Sequence, residues 1–319
     1  MENNKKGFVA TVFAKTSILM ASNLAVSKHL GNNIFELASI LGISRMLHRT
    51  PVIFTHNETY EEMLKRVNDT IPGLLDQYLI IEGTVPEVAR DEDFNLKCCI
   101  FENPNVLMEI TDKFLHLTGL YYQSYKYFPA MQEELQNYIR RSSNNFSNLP
   151  KSTGKTFINC VHIRRGDFFD VGFHVADADF IKKAMSYIER RESRPNQKMV
   201  FIMFGDDLQF MKDLFTDSIV SNEYTNHSNS IHFISQNSAT EELVYSKNHC
   251  DTVFISAAHS TFGWWMGYFS KGNRVYFSDI RVTNDSVYKT GDLNPDDYYL
   301  PNWIPIEYNE EMMIVESTK

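Results

Sequence analysis

Two adjacent arginines follow an apolar segment in the middle of the sequence. The segment 157–164 (FINCVHIR) has the apolar and β-branched composition of a strand, and Arg165 lies where that strand should end. Side chains alternate along a strand, so His162 and Arg164 point to the same layer. A buried guanidinium without a partner is costly, so adjacent arginines at a strand end indicate an anionic ligand.

A diphosphate suits this pair, because two planar guanidinium groups can each hold phosphate oxygens through two hydrogen bonds. The alternative is a structural ion pair with Asp167 or Asp170, which follow in the same segment. His162 could orient a nucleotide or Arg164, although a single histidine beside a strand is more often structural. The sequence therefore predicts an anion site at this strand end and leaves the ionic partner open.

A second group of polar residues lies between a strand at 252–256 and a helix at 261–270. We call each such group at the end of a predicted strand a corner, and the two arginines belong to the first. Hydroxyl groups and the N–H groups at a helix N-terminus can receive an anion. The residues at this corner are His259, Ser260, Thr261 and Phe262. Plain helix capping by one of the two hydroxyl residues is the alternative. Trp264 and Trp265 in the same helix are assigned to packing.

A third corner consists of Gly205 followed by Asp206 and Asp207 at the start of a helix. A carboxylate at this place could accept two hydrogen bonds from the N1–H and the N2 amino group of guanine, which uracil does not offer. N-capping of the helix is the alternative. The corner therefore predicts either recognition of a guanine base or a helix cap.

The three corners fall within a regular alternation of strands and helices. The predicted strands are 157–164, 199–205, 230–235, 252–256 and 274–278. The predicted helices are 179–191, 206–215, 240–248 and 261–270. Such alternation is typical of repeated βαβ units in a parallel sheet covered on both faces. Ligands bind beyond the carboxyl ends of such strands, so the three corners are predicted to share one edge.

The first half of the chain is less regular. Its first segments are a strand at 18–26, an amphipathic helix at 33–47 and a strand at 51–54, which form one βαβ unit. Residues 112–141 have a helical pattern, and residues 142–153 (SSNNFSNLPKST) have the composition of a linker. We therefore predict an α/β fold of two domains, residues 1–150 and residues 151–319.

The composition argues against a nucleic-acid-binding surface and against a membrane-spanning segment. The chain has 319 residues and a formal net charge of -9, which argues against a nucleic-acid-binding surface because such surfaces are basic. The most apolar N-terminal stretch, residues 7–26, is interrupted by Lys15 and falls short of the roughly 18 apolar residues of a membrane span. We therefore expect a membrane anchor to be weakly encoded or to lie outside this chain.

The cysteines and the N-glycosylation sequons leave the compartment open. Cys160 and Cys250 lie near the starts of predicted strands, where buried free thiols are common, and Cys98 and Cys99 are adjacent. The sequons are at Asn57, Asn68, Asn145, Asn226 and Asn284. About three such matches are expected by chance, so the excess favours a secretory protein without establishing one.

Three ordered motifs make the sequence resemble the α-1,2-fucosyltransferase family and, more distantly, the wider group of α-1,2-, α-1,6- and protein O-fucosyltransferases. Residues 162–167 (HIRRGD) match the family motif H-x-R-R-x-D, and residues 260–265 (STFGWW) match S-x-F-x-W-W. Residues 30–35 (LGNNIF) are similar to L-G-N-Q-M-F, with Asn33 in place of the glutamine. The resemblance spans roughly residues 24–280.

The resemblance implies an inverting glycosyltransferase that moves L-fucose from GDP-fucose to a hydroxyl of a glycan acceptor, specifically a galactoside 2-alpha-L-fucosyltransferase. It implies a GT-B fold, with two Rossmann-like lobes that face each other across a cleft. The donor belongs to the C-terminal lobe and the acceptor to the N-terminal side. No metal is implied, since arginines can neutralise charge as a metal would. The family is typically a Golgi-lumenal glycoprotein with one N-terminal membrane anchor.

The resemblance also implies roles for individual residues. Arg164 and Arg165 are expected to stabilise the charge that grows on the β-phosphate in the transition state. Gly31, Asn32 and Asn33 are expected in the cleft on the N-terminal side. The expected donor-binding residues are His162, Arg164, Arg165, Asp206, Asp207, His259, Ser260, Thr261 and Phe262. The candidates for a general base, by residue type alone, are Asp167, His174 and Glu36. An oxocarbenium-like transition state lowers the need for such a base.

Two alternatives remain open from the sequence. One is a transferase for another guanine nucleotide sugar such as GDP-mannose, which depends on the shape of the sugar pocket. The other is a catalytically silent protein that binds a sugar nucleotide or a glycan. The retained arginines and aromatic segment argue against the silent protein, because it has no transition-state charge to stabilise.

Overall fold

The computed structural model describes residues 18–25, 27–141, 146–147, 149–214 and 231–318. The chain forms two compact units. Unit 1 consists of Met1–Arg140 and Asp292–Tyr299, and unit 2 consists of Arg141–Gly291 and Leu300–Lys319. The first unit therefore ends at Arg140, whereas the sequence suggested residue 150, and it also includes a late segment of the chain.

Unit 1 is built on a five-stranded parallel sheet. The strands are β1 (Leu19–Ser22), β2 (Thr50–Thr55), β3 (Leu79–Glu82), β4 (Arg90–Asp93) and β5 (Phe114–Thr118). Their order is β3-β2-β1-β5-β4, and every neighbouring pair is parallel. The helices are α1 (Leu30–Met46), α2 (Glu58–Thr70), α3 (Pro72–Leu75) and α4 (Gln132–Tyr138), with 3-10 turns at Pro104–Leu107 and Tyr125–Tyr127 and a short helix at Pro295–Tyr298. The parallel pair β1 and β2, joined by α1, confirms the predicted βαβ unit.

Helix α1 is buried on nearly all sides, which differs from the amphipathic pattern expected for it. It begins at Leu30 and ends at Met46. Its buried polar residues are tied within unit 1. Glu36 accepts a hydrogen bond from the N–H of Ala25 at 2.7 Å, and the hydroxyl of Ser39 donates to the carbonyl of Tyr122 at 2.7 Å. The polar residues Glu36 and Ser39, which gave the helix its amphipathic pattern, therefore form hydrogen bonds inside unit 1.

The predicted helix over residues 112–141 is wrong. The chain there forms strand β5, a 3-10 turn and the short helix α4. In β5 the buried residues Phe114 and Leu117 are three positions apart. This spacing occurs in an amphipathic helix and also in a strand that is covered on both faces, so it does not distinguish the two. After β5, Tyr121 and Tyr122 have φ angles of 59° and 50°. This left-handed backbone turns the chain sharply and does not continue a helix.

Unit 2 contains a seven-stranded sheet. The strands are β6 (Thr156–Ile163), β7 (Lys198–Gly205), β8 (Ile231–Ile234), β9 (Thr252–Ile255), β10 (Val275–Ser278), β11 (Ile304–Tyr308) and β12 (Ile314–Glu316). Their order is β12-β11-β10-β9-β6-β7-β8, and all neighbouring pairs are parallel except β11 and β12. The helices are α5 (Phe168–Val171), α6 (Ala178–Glu192), α7 (Leu208–Asp213), α8 (Ala239–His249), α9 (Thr261–Phe269) and α10 (Ser286–Lys289). The predicted alternation of strands and helices is confirmed, and β11 and β12 add two further strands to the sheet.

Strand β6 of unit 2 is buried along almost its whole length, as expected for a parallel strand covered on both faces. Within it, Cys160 forms a disulfide with Cys250, which precedes the neighbouring strand β9. Cys98 and Cys99 are also joined to each other. The sequence left the disulfide state open, and the structure shows the pairing, because β6 lies beside β9 and brings the two distant cysteines together.

The longest helices described are α1, with 17 residues, and α6, with 15 residues. Among the described residues, no helix combines the length and the apolar character needed to cross a lipid bilayer.

Candidate active site

The three predicted corners lie at the carboxyl ends of three neighbouring strands. In unit 2, β6 lies between β9 and β7. Ile163 of β6 pairs with Gly205 of β7, and His162 pairs with Ile255 of β9, so the strand ends are level. We call the residues that follow these ends, Arg164–Asp167, Asp206–Asp207 and His259–Phe262, the polar edge. The prediction that the corners share one edge is confirmed.

Arg164 lies between two carboxylates of the polar edge. Its Nη2 donates to Oδ1 of Asp167 at 2.6 Å, and its Nη1 lies 3.2 Å from Oδ2 of Asp206. The guanidinium carbon is 5.5 Å from the ring centroid of Phe168, within the range of a cation–π contact. The ion pair with Asp167 is one of the partners that the sequence left open. Since 26% of the arginine side chain is exposed, part of it remains accessible.

Arg165 is held by stacking on an aromatic ring as well as by polar contacts. Its Nε lies 3.3 Å from Oδ2 of Asp207, and its Nη1 donates to the carbonyl of Ala176 at 3.2 Å. The guanidinium carbon lies 3.6 Å from the ring centroid of Phe210 and 5.0 Å from that of Phe169. A planar guanidinium stacks in this way, whereas a lysine ammonium does not. The arginine is therefore oriented before any ligand binds.

Asp206 connects the ends of β6 and β7. Its Oδ1 accepts a hydrogen bond from the backbone N–H of Arg165 at 3.0 Å, and its Oδ2 faces Arg164. A Cβ atom at Gly166 would collide with Oδ2 of this carboxylate. A side chain at position 166 would therefore displace this carboxylate from its contacts with Arg164 and Arg165.

Asp207 is the N-cap of α7. Its Oδ1 accepts from the N–H of Phe210 at 2.9 Å, and its Oδ2 lies beside Arg165. The capping alternative is therefore confirmed for Asp207. Each oxygen of Asp206 and Asp207 has a partner within the protein, so these contacts favour positioning of the arginines over recognition of guanine.

His162 is buried beneath the first turn of α9. It is 3% exposed, and burial, followed by the charge of Arg164, lowers its pKa to about 3. A Cβ atom at Gly263 would lie 2.7 Å from Nδ1 of His162 and 2.9 Å from Cγ2 of Ile255. The neutral imidazole therefore packs directly against the helix backbone, in agreement with the structural interpretation.

The corner after β9 starts helix α9. The Oγ of Ser260 accepts from the N–H of Gly263 at 3.3 Å, and its carbonyl accepts from the N–H of Trp264 at 2.9 Å. Ser260 is thus the N-cap, as the capping alternative predicted. Thr261 and Phe262 are half-buried beside it, and the tryptophans of α9 are fully buried in the core.

A buried histidine and a buried aspartate lie beside this corner. His259 is 7% exposed and Asp285 is 0% exposed, and Nδ1 of the histidine lies 3.6 Å from Oδ1 of the aspartate. Oδ2 of Asp285 accepts from the backbone N–H of His174 at 3.0 Å. Burial lowers the pKa of both histidines, and Asp285 opposes this shift. Sequence reasoning missed Asp285, because it lies after β10, well beyond the last of the three motifs, which ends at Trp265.

The three candidates for a general base occur in different settings. Asp167 is half-exposed and paired with Arg164. His174 is partly buried, and burial lowers its pKa. Glu36 belongs to unit 1, is 1% exposed and accepts from Ala25, and burial raises its pKa to about 8. Unit 2 therefore contains two of the candidates, whereas Glu36 is protonated at neutral pH and lies in the other unit.

The first motif of the sequence lies at the start of α1 in unit 1. The Nδ2 of Asn33 donates to the carbonyl of Ser27 at 3.0 Å. The Nδ2 of Asn32 donates to Oγ of Ser27 at 3.3 Å, and its Oδ1 accepts from Nε2 of Gln123 at 3.3 Å. Gly31 is buried in the same turn. These contacts fasten the segment that follows β1, and the expected contact of the motif with a ligand stays a prediction.

An Asp-x-Asp pair opens α6. Asp177 caps the helix by accepting from the N–H of Phe180 at 2.7 Å. Asp179 lies 2.8 Å from Nζ of Lys183 and accepts from the hydroxyl of Tyr308 at 2.9 Å. Both carboxylates therefore stabilise α6 and its surroundings, which favours a structural role over metal binding.

Comparison with known proteins agrees with this architecture. The family model described as glycosyl transferase family 11 matches residues 3–307. The putative galactoside 2-alpha-L-fucosyltransferase svh-11 of Caenorhabditis elegans is 41% identical over 297 residues, which cover 93% of this chain and 81% of the relative. A galactoside 2-alpha-L-fucosyltransferase of the same organism is 30% identical over 302 residues, which cover 87% of this chain and 74% of the relative.

Among solved structures, an arginine-to-lysine variant of Arabidopsis thaliana FUT1 in complex with GDP aligns with a TM-score of 0.51 and 12% sequence identity. The alignment covers 99% of this chain and 88% of that chain. At this identity the similarity concerns the fold, which is of the GT-B type with two Rossmann-like units. The family match extends over nearly the whole sequence and includes all three motifs. The chain is therefore a member of glycosyl transferase family 11, the α-1,2-fucosyltransferase family that its motifs resemble.

Proposed function

We propose that this protein transfers L-fucose from GDP-fucose to the 2-hydroxyl group of a galactoside acceptor, with inversion at the anomeric carbon. The observation that carries the proposal is the polar edge of unit 2, where two oriented arginines lie at the end of β6, whose neighbour β9 leads into the N-terminus of α9. The family assignment and the names of the relatives support the choice of donor and acceptor.

The reaction is a single displacement. The acceptor hydroxyl attacks the anomeric carbon while the bond to the β-phosphate oxygen breaks, and negative charge grows on the departing GDP. Arg164 and Arg165 stabilise this charge more in the transition state than in the ground state. The stack on Phe210 and the pair with Asp207 fix Arg165 in advance, so little reorganisation accompanies the reaction.

The proton of the acceptor hydroxyl is lost late in such a reaction. An oxocarbenium-like transition state develops before the hydroxyl becomes strongly acidic, so a weak base or solvent can accept the proton. Asp167 and His174 are the candidates within the donor unit. Glu36 is the candidate within unit 1, but burial raises its pKa to about 8, so only its minor ionised form can accept a proton at neutral pH. We propose unit 1 as the acceptor side, with Gly31, Asn32 and Asn33 contributing to it.

The charge balance of the donor is met by protein groups in this proposal. The two guanidinium groups compensate the diphosphate, and the N-terminus of α9, with His259, Ser260, Thr261 and Phe262, completes the anion site. No metal takes part. Guanine recognition by Asp206 or Asp207 stays a prediction, and it requires one of these carboxylates to exchange an arginine contact for the base.

We propose that the protein is a glycoprotein of the Golgi lumen. The disulfide between Cys160 and Cys250 supports an oxidising compartment. The sequon asparagines Asn57, Asn68 and Asn284 are exposed, as glycosylation requires. Asn145 and Asn226 lie outside the described residues. A mobility shift after endoglycosidase treatment of the protein expressed in animal cells tests this location.

A transfer assay tests the proposed function. The purified protein is given GDP-fucose, GDP-mannose or UDP-galactose, each with and without EDTA, and lactose as the acceptor. We expect fucosylated lactose from GDP-fucose alone, with a rate that EDTA leaves unchanged. Transfer from GDP-mannose instead would replace the donor assignment. Tight binding of GDP-fucose without turnover on an array of galactosides would identify a silent binding protein.

A further inference from the structure

The buried carboxylate of Asp285 connects two segments beside the polar edge, the start of α10 and the backbone at His174. Its Oδ1 accepts from the N–H groups of Val287 and Tyr288 at 3.1 and 3.2 Å, at the start of α10. Its Oδ2 accepts from the N–H of His174 at 3.0 Å. The aspartate is 0% exposed, and burial of a carboxylate is costly unless its oxygens are satisfied. These bonds make a fully buried negative group tolerable at this position.

His259 lies against this carboxylate from the end of β9. The separation of 3.6 Å between Nδ1 and Oδ1 of Asp285 is within ion-pair range and longer than a normal hydrogen bond. The contact therefore strengthens when the imidazole becomes positively charged. The ring centroid of Phe173 lies 4.5 Å from that of the imidazole. The imidazole is thus held between a carboxylate and an aromatic ring.

The start of α10 also secures the segment that follows the two arginines. The N–H of Ser286 donates to the carbonyl of Gly172 at 3.0 Å, and its hydroxyl donates to the carbonyl of Val171 at 3.2 Å. This segment leaves helix α5, whose phenylalanine rings lie against the two guanidinium groups. The loop that contains Asp285 therefore supports two parts of the polar edge at once.

We propose that Asp285 is a positioning residue of the donor site, which orients His259 so that the imidazole takes up a proton when the diphosphate binds. The proton comes from solvent and gives the site a third positive charge beside the two arginines. The proposal rests on the proposed function, because it places the donor diphosphate at the polar edge. His259 precedes Ser260, the N-cap of α9, where the helix terminus also favours an anion.

The direction of the proton transfer follows from the groups around the imidazole. In the unliganded protein, burial lowers the pKa of His259 against the opposing effect of Asp285, so the ring is mostly neutral at pH 7.5. A bound diphosphate adds negative charge and favours the protonated ring. His174 and Asp177 face the same region, and burial also lowers the pKa of His174. A His174→Gln variant therefore distinguishes uptake by His259 from uptake by His174.

The test is calorimetric titration of GDP into the full chain at pH 7.5, in two buffers with different ionisation enthalpies. The difference between the two measured enthalpies gives the number of protons taken up. We expect proton uptake by the wild-type protein and its loss in Asp285→Asn and in His259→Gln. The KM for GDP-fucose should rise about tenfold in both variants, which corresponds to one pKa unit of coupling, while kcat changes less.

The matched control is Asp279→Asn. Asp279 also follows β10, is 2% exposed, accepts from the N–H of Arg281 at 3.0 Å and pairs with that side chain at 2.7 Å. Its substitution should lower stability and leave proton uptake unchanged. His174→Gln should also keep the uptake. Loss of uptake in either of these two variants, or normal uptake in Asp285→Asn, would overturn the proposal.

Two further outcomes are distinguishable. If Asp285→Asn does not fold, His259→Gln carries the test, because it leaves the backbone hydrogen bonds of the aspartate in place. Wild-type protein that binds GDP without proton uptake overturns the role of Asp285 and leaves fucosyl transfer standing. Wild-type protein that binds no GDP refutes the proposed function itself.

Discussion

The carboxyl edges of the two sheets are built from different chemical groups. In unit 2, the polar edge is formed by arginine–aspartate pairs. In unit 1, the ends of β1 and β5 are joined by neutral groups. The Oδ1 of Asn23 accepts from the N–H of Gly119 at 2.8 Å, and the hydroxyls of Ser22 and Tyr122 lie 2.8 Å apart. The polar edge of unit 2 is thus a charged edge, whereas the ends of β1 and β5 in unit 1, which we call the neutral edge, are joined by amide and hydroxyl groups.

This difference agrees with the proposal that the two units bind two kinds of ligand. Oriented guanidinium groups suit a diphosphate, whereas amide and hydroxyl groups suit a ligand rich in hydroxyls. Even the ionisable Glu36 of unit 1 is neutral at neutral pH, because burial raises its pKa to about 8. Substitutions at the charged edge should therefore change the donor chemistry, and substitutions at the neutral edge should leave GDP binding alone.

Removal of a guanidinium from the charged edge should have the largest effect. Arg165→Ala is expected to lower kcat/KM for GDP-fucose about 100- to 1000-fold, since removal of one preorganised donor to a transition-state charge costs about 2.7–4 kcal/mol. Arg165→Lys keeps the charge and loses the stack on Phe210, so it should recover only part of the activity. Steady-state kinetics at a fixed acceptor concentration measure both values.

Arg194→Ala is the matched control for this prediction. Arg194 also belongs to unit 2 and lies 5.1 Å from an aromatic ring, that of Phe157, which is near the start of β6 and not at its end. We expect its kcat/KM to equal that of the wild type. A folded Arg165→Ala protein with near-normal turnover would remove the catalytic role of this arginine.

The strand ends of the charged edge are predictable from sequence, because apolar runs and the polar residues after them are local signals. The predicted strands β6, β7 and β9 agree with the structure within one residue at each end. One partner of the arginines, Asp167, is local and was among those that the sequence left open, whereas Asp206 and Asp207 are not local. Arg165 and Asp206 are 41 positions apart, and they meet because β6 and β7 are level at their ends. A predicted parallel sheet does not specify that register.

Unit 1 was harder to predict, because its organisation depends on distant contacts. The buried pattern of β5 resembles that of a helix, and only its place between β1 and β4 makes it a strand. The segment Asp292–Tyr299 returns to unit 1 from the far end of the chain. Within it, Asp297 pairs with Nζ of Lys126 at 2.6 Å and accepts at its carbonyl from the hydroxyl of Ser124 at 2.6 Å. No local pattern in the sequence indicates such a return.

Crowding beneath the charged edge should have the next largest effect. Gly263→Ala is expected to destabilise the protein by about 1–3 kcal/mol, because the added methyl group meets His162 and Ile255 at 2.7 and 2.9 Å. His162→Ala in the same chain removes one of these contacts, so the two costs should not add. Urea unfolding of the single and double variants measures the coupling.

Gly154→Ala is the control for this substitution, since in the described part of the chain a Cβ atom there would have no heavy atom within 4 Å beyond its chain neighbours. It should change the free energy of unfolding by less than about 0.5 kcal/mol. Additive costs for Gly263→Ala and His162→Ala would mean that the imidazole does not fix the position of α9.

The two units also allow a comparison by pH. Burial raises the pKa of Glu36 in unit 1 and of Glu242 in unit 2 to about 8, from about 4.5 in the unfolded chain. Between these values the folded protein binds more protons, so the free energy of unfolding falls as pH rises. The slope reaches at most about 1.4 kcal/mol per pH unit for each group. Glu36→Gln and Glu242→Gln should each flatten this slope between pH 6 and pH 7.5.

Urea unfolding of the two single variants and the double variant at several pH values measures these slopes. The double variant should show the sum of the two changes, because the groups belong to separate units. If neither single variant alters the slope, the two carboxyl groups are not the source of the pH dependence.

The smallest effect is expected at the neutral edge. Asn23→Ala removes the acceptor for the N–H of Gly119 and should cost about 1 kcal/mol, since the asparagine is exposed and water can replace part of the bond. The affinity for GDP, measured by calorimetry, should stay at the wild-type value because the proposed donor contacts lie in unit 2. Asn105→Ala, at an exposed position of the 3-10 turn Pro104–Leu107 and outside any sequon, is the control for loss of an asparagine side chain. A marked loss of GDP affinity in Asn23→Ala alone would mean that the neutral edge also serves the donor, and the division of chemistry between the two sheets would not hold.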